Sequence, residues 1–365
     1  MDALADLPRR YPQVTEAWVG FSGGPDSTVL LYLAKRHLEA WKVRALHVDH
    51  GLHAKAEDWS AHCRRVCEKL DVSLTVLQVS LPAAPEDGLE AAAREARYSA
   101  IAERLRPHQA FLTAHHRDDQ VETTLIQLLR GSGLRGLAGM PRERPIGQGV
   151  LLRPWLAIPR AELTRALESS GLPAIRDPMN HDPRFLRSRV RGELLPLLDS
   201  VRPGAGEAIA RTAKLAGEST AVIEWAAERV LEDRIQPDGS LCLEEWRDLP
   251  LPVRAEVLRS WLSRLALPVP QRRQLMELLR QCDADCDREI LVAWPGSEVR
   301  RFQGRLYATA PLRNPDAGSL LRWHGPALEL PEGLGRLAWQ PESGRDPAGP
   351  WPDLQVGFRT GGERI

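Results

Sequence analysis

The sequence contains no run of about 18 consecutive apolar residues, the length that indicates a transmembrane helix. Its first residues, MDALADLPRRYP, also lack the apolar region of a secretory signal. We therefore predict no membrane partner and a cytoplasmic location. With 365 residues, the chain is long enough for two or three domains with a substantial core.

The sequence has only five cysteines and no net charge. The five cysteines form no C-x-x-C pair, and 63/67 and 282/286 are spaced four apart. An odd number of cysteines without a signal predicts reduced thiols, and this spacing favours helical packing over a metal or iron–sulfur site. Because 49 Lys and Arg balance 49 Asp and Glu, overall charge identifies no partner. Residues 130–202, however, contain 13 arginines and 7 acidic residues. This local positive charge favours either binding of an anionic polymer or a solvated surface without a partner.

The sequence also lacks the G-x-x-x-x-G-K-[ST] phosphate-binding motif, but a different glycine loop is present. SGGPDS (22–27) follows an apolar run at Ala17–Phe21 and precedes an apolar helical pattern. A loop between strand and helix directs backbone N–H groups at one point, where an anion binds. Gly23 and Gly24 allow close approach, and Ser22 and Ser27 add hydroxyl groups. The alternative is a loop that caps the helix without a ligand.

Strand and helix patterns alternate over residues 15–160. The predicted strands are Ala17–Phe21, Val43–Asp49, Leu74–Val79 and Ala110–Ala114, and the predicted helices are about 26–40, 55–70, 88–105 and 118–130. Such alternation predicts βαβ units. The predicted fold is α/β: a doubly wound, mostly parallel sheet with flanking helices, then a helical domain and a small C-terminal α+β or β segment.

The second half is predicted to be helical throughout about 205–285, with a break at Pro268–Pro270. Trp246 and Trp261 are predicted to lie in the core. A β-hairpin is predicted from Glu289–Val299 and Arg305–Ala310, and short strands in the last 50 residues.

Polar clusters follow three of the predicted parallel strands, at 22–27, 47–51 and 115–119. Ligands of open parallel sheets bind outside the carboxyl ends of the strands, so we expect the clusters to share a site. Asp49 is suited to binding Mg²⁺ or the adenosine of a nucleotide. The alternative is that it only caps the next helix.

Asp119 and Glu122 are spaced i,i+3 near the start of a helix, with Asp118 as its predicted N-cap. Two carboxylates on one helix face bind an ammonium group or Mg²⁺, or accept a proton from an amine. The alternative is that they only stabilise the first helical turn.

Together these segments resemble the tRNA(Ile)-lysidine synthases of the PP-loop superfamily of N-type ATP pyrophosphatases. The resemblance lies in SGGPDS (22–27), HVDHGLH (47–53), AAAREARY (91–98), AHHRDDQVETTLIQLLRGSGLRGLAGM (114–140), LLRPWL (151–156) and RDPMNHDPRFLRSRVRGELLP (176–196). It is strongest over 15–200. His53 and Ser188 depart from the family, where Arg and Asn are usual.

The resemblance implies a two-step ligation that uses ATP and Mg²⁺. The C2 oxygen of the first anticodon cytidine of a minor isoleucine tRNA, with a CAU anticodon, is adenylated and pyrophosphate leaves. The ε-amine of free L-lysine then attacks C2 and AMP leaves. The resemblance also implies a homodimer.

The resemblance further assigns roles to residues of this sequence. The implied ATP-binding residues are Ser22, Gly23, Gly24, Pro25, Asp26, Ser27, Asp49, Arg94, Arg97 and His115, with Asp26 and Asp49 also as Mg²⁺ ligands. The implied catalytic residues are Asp49, Asp119 and Glu122. The implied lysine- or tRNA-binding residues are Asp119, Glu122, Arg187, Arg189 and Arg191.

Three domains are expected on this basis. Residues 1–205 would form the PP-loop adenylation domain, and 206–312 a mainly helical substrate-specificity domain ending in a β-hairpin. Residues 313–365 would be a linker and the start of a truncated C-terminal tRNA-binding domain, because GFRTGGERI resembles its opening. The alternatives are another PP-loop ligase, such as a tRNA thiolase, and a non-catalytic RNA-binding relative.

Overall fold

The computed structural model describes residues 2–49, 56–79, 89–175, 182, 184–283, 290–312, 319–331, 334–338 and 353–358. The chain divides into two compact units, Met1–Ala221 and Val222–Ile365. In the described ranges no helix combines the length and apolarity needed to cross a bilayer. His53 and Cys286 lie outside the described residues, as does most of the predicted motif segment 176–183.

A six-stranded sheet organises the first unit. Its strands are β1 (Glu16–Gly20), β2 (Lys42–Asp49), β3 (Leu74–Gln78), β4 (Gln109–Leu112), β5 (Glu143–Ile146) and β6 (Gly149–Leu152). The order is β3-β2-β1-β4-β6-β5, with only β5 antiparallel to its neighbour. The four predicted strands are confirmed with nearly the predicted bounds. The β5–β6 hairpin was not predicted, because Pro145 and the charged residues of β5 hide any alternating apolar pattern.

Helices surround this sheet. They are α1 (Asp2–Ala5), α2 (Leu7–Arg10), α3 (Pro25–His37), α4 (Ala56–Lys69), α5 (Leu89–Arg104), α6 (Arg117–Leu129), α7 (Leu134–Leu137) and α8 (Arg160–Ser170). Ala17 and Val19 of β1 belong to the core that includes α3, whereas Trp18 packs with Ile101 of α5. Because successive strand residues point to opposite faces, both faces are covered, and the doubly wound prediction is confirmed.

A helix with an irregular centre follows α8. It comprises α9 (Leu186–Arg189), a π-helical turn at Val190–Leu194, and α10 (Leu195–Val201). Val190 packs against Val121 and Leu125 of α6. A π turn inserts one extra residue into the helical repeat and often occurs at functional sites. Here the turn contains Arg191 and directly follows Arg187 and Arg189 of α9.

The described part of the second unit contains helices and an antiparallel sheet. The elements are α11 (Ala205–Glu232, which begins in the first unit), α12 (Leu251–Arg264), α13 (Arg272–Cys282), β7 (Leu241–Cys242), β8 (Ile290–Trp294), β9 (Ser297–Phe302) and β10 (Arg305–Thr309). The sheet order is β7-β10-β9-β8. Trp246 and Trp261 are buried in this unit's core, as predicted.

Two sequence predictions for this unit are corrected. Residues 205–285 are not helical throughout, because β7 interrupts them by pairing with β10, a contact distant in sequence. The predicted hairpin arm 289–299 contains two strands, β8 and β9, separated by a turn at Gly296, whose φ is +81°.

Two small strand pairs follow. β11 (Leu320–Trp323) pairs with β14 (Leu354–Gly357), and β12 (Ala327–Glu329) with β13 (Arg336–Ala338). The division into domains ending at 205 and 312 stays a prediction.

Candidate active site

The SGGPDS loop after β1 is closed by its own side chains. The Ser22 and Ser27 hydroxyl oxygens lie 3.1 Å apart, and the Ser27 and Thr28 hydroxyls both donate to the Gly24 carbonyl. Gly23 has a φ of +77°, and a Cβ there would lie 3.1 Å from the Cys63 sulfur. The loop is therefore held in one shape at the N-terminus of α3, where backbone N–H groups favour an anion.

His116, not Asp118, is the N-cap of α6. The His116 ring accepts a hydrogen bond from the Asp119 N–H at 3.4 Å, and the His116 N–H donates to the Asp119 carboxylate at 3.0 Å. The Asp118 carboxylate instead accepts the Arg160 N–H at 3.0 Å and thereby caps α8. The reciprocal bonds resemble a capping box and fix the direction of the Asp119 side chain.

Three carboxylates surround the buried His116 ring. The shortest ring nitrogen to oxygen distances are 3.7 Å to Asp26, 3.6 Å to Asp118 and 3.5 Å to Asp119. Burial alone would lower the pKa of His116, but the hydrogen bond with Asp26 and the three negative charges raise it. Burial likewise opposes ionisation of Asp26, yet His116, Arg160 and Arg191 lower its pKa below the ordinary value. The contact between His116 and Asp26 thus connects the SGGPDS loop to the first turn of α6.

Glu122, one turn further along α6, is held by two arginines. Its side chain is 1% exposed. The Arg187 Nε donates to it at 2.8 Å, and Arg191 donates from Nε at 2.6 Å and Nη2 at 3.0 Å. Arg187 and Arg191 are spaced i,i+4 along this irregular helix, so both lie on the face that meets Glu122. Arg191 also lies 3.7 Å from Asp119.

A cavity of about 400 Å³ lies beyond the carboxyl ends of β1 and β4. The strand order β3-β2-β1-β4 changes direction between β1 and β4, which is where ligands of doubly wound sheets bind. The predicted site residues that line it are Ser22, Gly24, Pro25, Asp26, Ser27, Arg94, Arg97, His115, Asp119 and Arg191. The fold therefore brings together most of the residues singled out from the sequence.

A second cavity, of about 440 Å³, lies beside the first. Asp118, Glu122, Asp199 and Glu207 contribute carboxylates to its lining. Arg160 and Arg191 line both cavities, so their side chains form part of the wall between them.

Some predicted site residues lie elsewhere. Among the described residues, Asp49, Arg187 and Arg189 line neither cavity. Asp49 ends β2, Arg187 is turned towards Glu122, and Arg189 forms an exposed ion pair with Glu193 at 3.5 Å. Gly23 shapes the loop without lining the cavity.

His115 lies in a strongly basic part of the first cavity. Burial lowers its pKa to about 3, and the charges of Arg153, Arg94 and Arg187 act in the same direction. Its Nδ1 lies 2.8 Å from the Thr113 hydroxyl. The ring is therefore neutral at physiological pH and acts as a hydrogen-bonding group rather than as a charge.

Comparison with known proteins places this chain in a family. A PP-loop domain model matches residues 5–198, and a TilS substrate binding domain model matches 241–307. The tRNA(Ile)-lysidine synthase of Xanthomonas axonopodis pv. citri is 40% identical over 352 residues, covering 95% of this chain and 79% of the relative. That of Pseudomonas aeruginosa is 41% identical over 362 residues, covering 94% and 79%. The chain belongs to the tRNA(Ile)-lysidine synthase family.

Membership of the tRNA(Ile)-lysidine synthase family makes the protein an enzyme of the ligase class, and its PP-loop domain makes it a user of ATP. A solved structure, the U34-tRNA thiolase NcsA from Methanococcus maripaludis, aligns over 59% of this chain and 78% of that one. Its TM-score is 0.46 at 17% identity, which is too distant to bear on function.

Sequence reasoning missed two residues of this synthase-family site. Arg160 lies within 4.0 Å of Asp26 and lines both cavities. His116 was seen only as a neighbour of His115, although it carries the raised pKa. Nothing local in the sequence indicates Arg160, because only the packing of α8 beside α3 brings it to the loop. The adjacent Asp118-Asp119 pair was a usable signal for a raised pKa at His116.

Proposed function

We propose that this protein ligates free L-lysine to C2 of the first anticodon cytidine of an isoleucine tRNA with a CAU anticodon. One observation carries the proposal. The same cavity is lined by the SGGPDS loop at the N-terminus of α3 and by the Asp119 carboxylate of α6. The relatives' names supply the identity of the tRNA and of the amino acid. Activation and amine attack then take place in adjoining spaces.

In the first step the cytidine C2 oxygen attacks the α-phosphorus of ATP, and the bond to the β-phosphate breaks. Ser22, Gly23, Gly24, Pro25, Asp26 and Ser27 form the loop that holds the leaving pyrophosphate. Arg94 and Arg97 line the same cavity from α5 and stabilise the developing negative charge. The neutral His115 orients the nucleotide by hydrogen bonding, since it carries no charge to contribute.

Mg²⁺ is proposed to bind Asp26 together with phosphate oxygens, with Asp49 as a second ligand. The ionised Asp26 carboxylate, which lines the cavity, fits this role. Asp49 is the last residue of the neighbouring strand β2, so it lies at the same edge of the sheet, although it does not line the cavity. Among the described residues no group of three or more His, Cys, Asp or Glu is arranged around one point, so water and phosphate would complete the shell. Bound Mg²⁺ neutralises phosphate charge.

In the second step the lysine ε-amine attacks C2, the bond from C2 to the phosphate oxygen breaks, and AMP leaves. The ammonium group must first lose a proton, and Asp119 is the carboxylate in the first cavity that accepts it. We assign the body of lysine to the second cavity, which shares its Arg160 and Arg191 wall with the first.

Glu122 was predicted to share the binding of lysine with Asp119, and that role stays a prediction. Its burial and its two arginine partners favour an indirect contribution. Glu122 holds Arg187 and Arg191 in place, and Arg191 faces both cavities. Arg189, exposed on the same helix, is available to an RNA phosphate.

The thiolase alternative is disfavoured by the described cysteines. Burial raises the pKa of Cys63, Cys67 and Cys282 to about 12, so each is a protonated thiol and a poor nucleophile. A non-catalytic RNA-binding relative is disfavoured because the loop and Asp119 are both retained. The homodimer and the cytoplasmic location remain part of the proposal.

The test measures transfer of radiolabelled lysine to an isoleucine tRNA transcript with a CAU anticodon, in the presence of ATP and Mg²⁺. The wild-type protein should incorporate lysine. Asp119→Asn should lower that rate at least about 100-fold, which is the lower end of the effect expected when a general base is removed. It should retain tRNA-dependent pyrophosphate release.

Glu193→Gln serves as the matched control, since it changes an exposed carboxylate of the first unit that pairs at the surface. It should incorporate lysine at the wild-type rate. If the wild-type protein releases pyrophosphate but transfers no lysine, the proposed nucleophile is wrong. If Asp119→Asn transfers lysine normally, the role of Asp119 is wrong.

A further inference from the structure

The antiparallel sheet of the second unit has one face that is not used by its core. Val292, Val299 and Leu306 point into the core. The opposite face of β8, β9 and β10 also carries Ala293, Glu298 and Thr309, beside five residues that strand pairing places side by side, since Phe302 pairs with Arg305, and Arg300 pairs with both Tyr307 and Leu291. We call this set the sheet platform: Leu291, Arg300, Phe302, Arg305 and Tyr307.

The sheet platform exposes two large apolar side chains. Phe302 is 62% exposed and Leu291 is 52% exposed, on strands β9 and β8 that are directly paired. The Tyr307 ring lies on the same face, on the other neighbour of β9. Single exposed apolar residues are ordinary, but several on one flat surface indicate a contact with another molecule.

The tip of the platform is rigid. Gln303 and Gly304 both have positive φ, at +47° and +74°, as a two-residue type I′ hairpin turn requires. The Leu243 N–H donates to the Gly304 carbonyl at 2.9 Å, which ties the turn to the segment after β7. The backbone that carries Phe302 is thus tied at its turn before any partner arrives, so little backbone entropy is lost on binding.

The charges of the platform are arranged around its aromatic rings. Arg300 donates from Nε to the buried Glu298 at 2.9 Å, and Arg305 lies 4.0 Å from Asp238. These carboxylates orient the guanidinium groups, and each guanidinium has five N–H donors, so further donors remain for a ligand. Both arginines are close to half exposed.

We infer that the sheet platform binds an unpaired nucleotide of the tRNA substrate, with Phe302 stacked on the base and Arg300 and Arg305 on the neighbouring phosphates. Aromatic residues alternating with arginines on an open sheet are suited to single-stranded RNA, because every base offers a face for stacking. All five platform residues fall within 241–307, the range matched by the substrate-binding domain model. The inference rests on the proposed function, since it takes tRNA as the substrate.

The experiment compares wild-type protein with Phe302→Ala, Phe302→Trp and a double variant, Arg300→Gln with Arg305→Gln. The dissociation constant for the CAU-anticodon isoleucine tRNA transcript is measured by filter binding at several salt concentrations. The KM for tRNA and kcat come from lysine incorporation. Trp225→Ala is the matched control, because Trp225 is 64% exposed and contacts Arg229, but lies on helix α11.

Phe302→Ala should raise both the dissociation constant and the KM for tRNA about tenfold, the size expected for removal of one stacked ring. Its kcat should be unchanged, because the stack serves binding alone. Phe302→Trp should restore affinity, and a role limited to folding would not give that recovery. The arginine variant should reduce the slope of log affinity against log salt by roughly 0.7 for each phosphate that the protein no longer neutralises.

The inference is overturned if Phe302→Ala binds tRNA within twofold of wild type, or if Trp225→Ala weakens binding equally. It is also overturned if Phe302→Ala only dissociates a dimer in analytical ultracentrifugation, which would make the platform an interface between copies. Failure of the proposed function would give a different outcome, because the wild-type protein itself would then transfer no lysine.

Discussion

Neutralising Glu122 gives the sharpest test of the electrostatics of this site. In Glu122→Gln the side chain keeps its shape but loses the charge that compensates Arg187 and Arg191. The wild-type carboxylate accepts three hydrogen bonds between 2.6 and 3.0 Å and is 1% exposed. The variant therefore leaves two guanidinium groups facing a neutral amide.

The expected decrease in stability follows from these hydrogen bonds. Breaking a fully buried ion pair by removing one partner costs about 3–5 kcal/mol. Arg187 and Arg191 are 30% and 28% exposed, so water compensates them in part. The amide oxygen also retains two of the three hydrogen bonds when it takes the Oε2 position, and one when it takes the Oε1 position. We therefore expect Glu122→Gln to lower the free energy of unfolding by about 2–3 kcal/mol.

The assay is urea unfolding followed by circular dichroism, with Glu193→Gln as control. Glu193 pairs with Arg189 on the same irregular helix, but both side chains are more than half exposed. Such surface pairs contribute about 0–1 kcal/mol. If the two variants unfold with the same free energy, Glu122 does not hold the arginines as described, and the reasoning is refuted.

Two further predictions concern the loop and its surroundings. Gly23→Ala and Gly171→Ala both place a side chain at positive φ, which costs about 1–2 kcal/mol in each. Only Gly23→Ala also meets Cys63, so only it should abolish tRNA-dependent pyrophosphate release; equal activity of the two variants would contradict the loop assignment. His115 has a folded-state pKa of about 3 against an ordinary 6.5, so the unfolded chain takes up a proton first as pH falls. Stability should then decrease as pH falls from 6.5 towards 3, and His115→Asn should flatten that decrease in urea titrations at about pH 7 and pH 5. If stability decreases equally in the wild-type protein and the variant, His115 is not buried as a neutral ring.

The alternating pattern of the first half specified most of the nucleotide-binding fold. Buried strands and amphipathic helices are local patterns, so β1 to β4 and α3 to α6 were found with nearly correct bounds. β6 and the two-residue β7 were missed because they pair with the distant strands β4 and β10, and β5 was missed because Pro145 and its charged residues hide any alternating apolar pattern. No local period records such pairing.

The candidate site divides in the same way. The loop at 22–27 and the helix-start carboxylates were identifiable because their chemistry depends on local spacing. The cap of α6 was assigned to Asp118, one of several residues able to cap, and the structure selects His116 because Asp118 is engaged by α8. Arg160 could not be found at all, since it reaches Asp26 only through the packing of α8 beside α3.

The sequence by itself determined the phosphate loop, the alternation of β1 to β4 with α3 to α6, and the family resemblance, because each depends on residues that are close together in the chain. Tertiary structure alone decided which charges meet. It placed His116 among three carboxylates that raise its pKa, buried Glu122 beneath two arginines, and separated Asp49 and Arg189 from the cavity linings. Coulombic and hydrogen-bond energies depend on distances across the fold, and those distances are set by the packing of helices that are far apart in the chain.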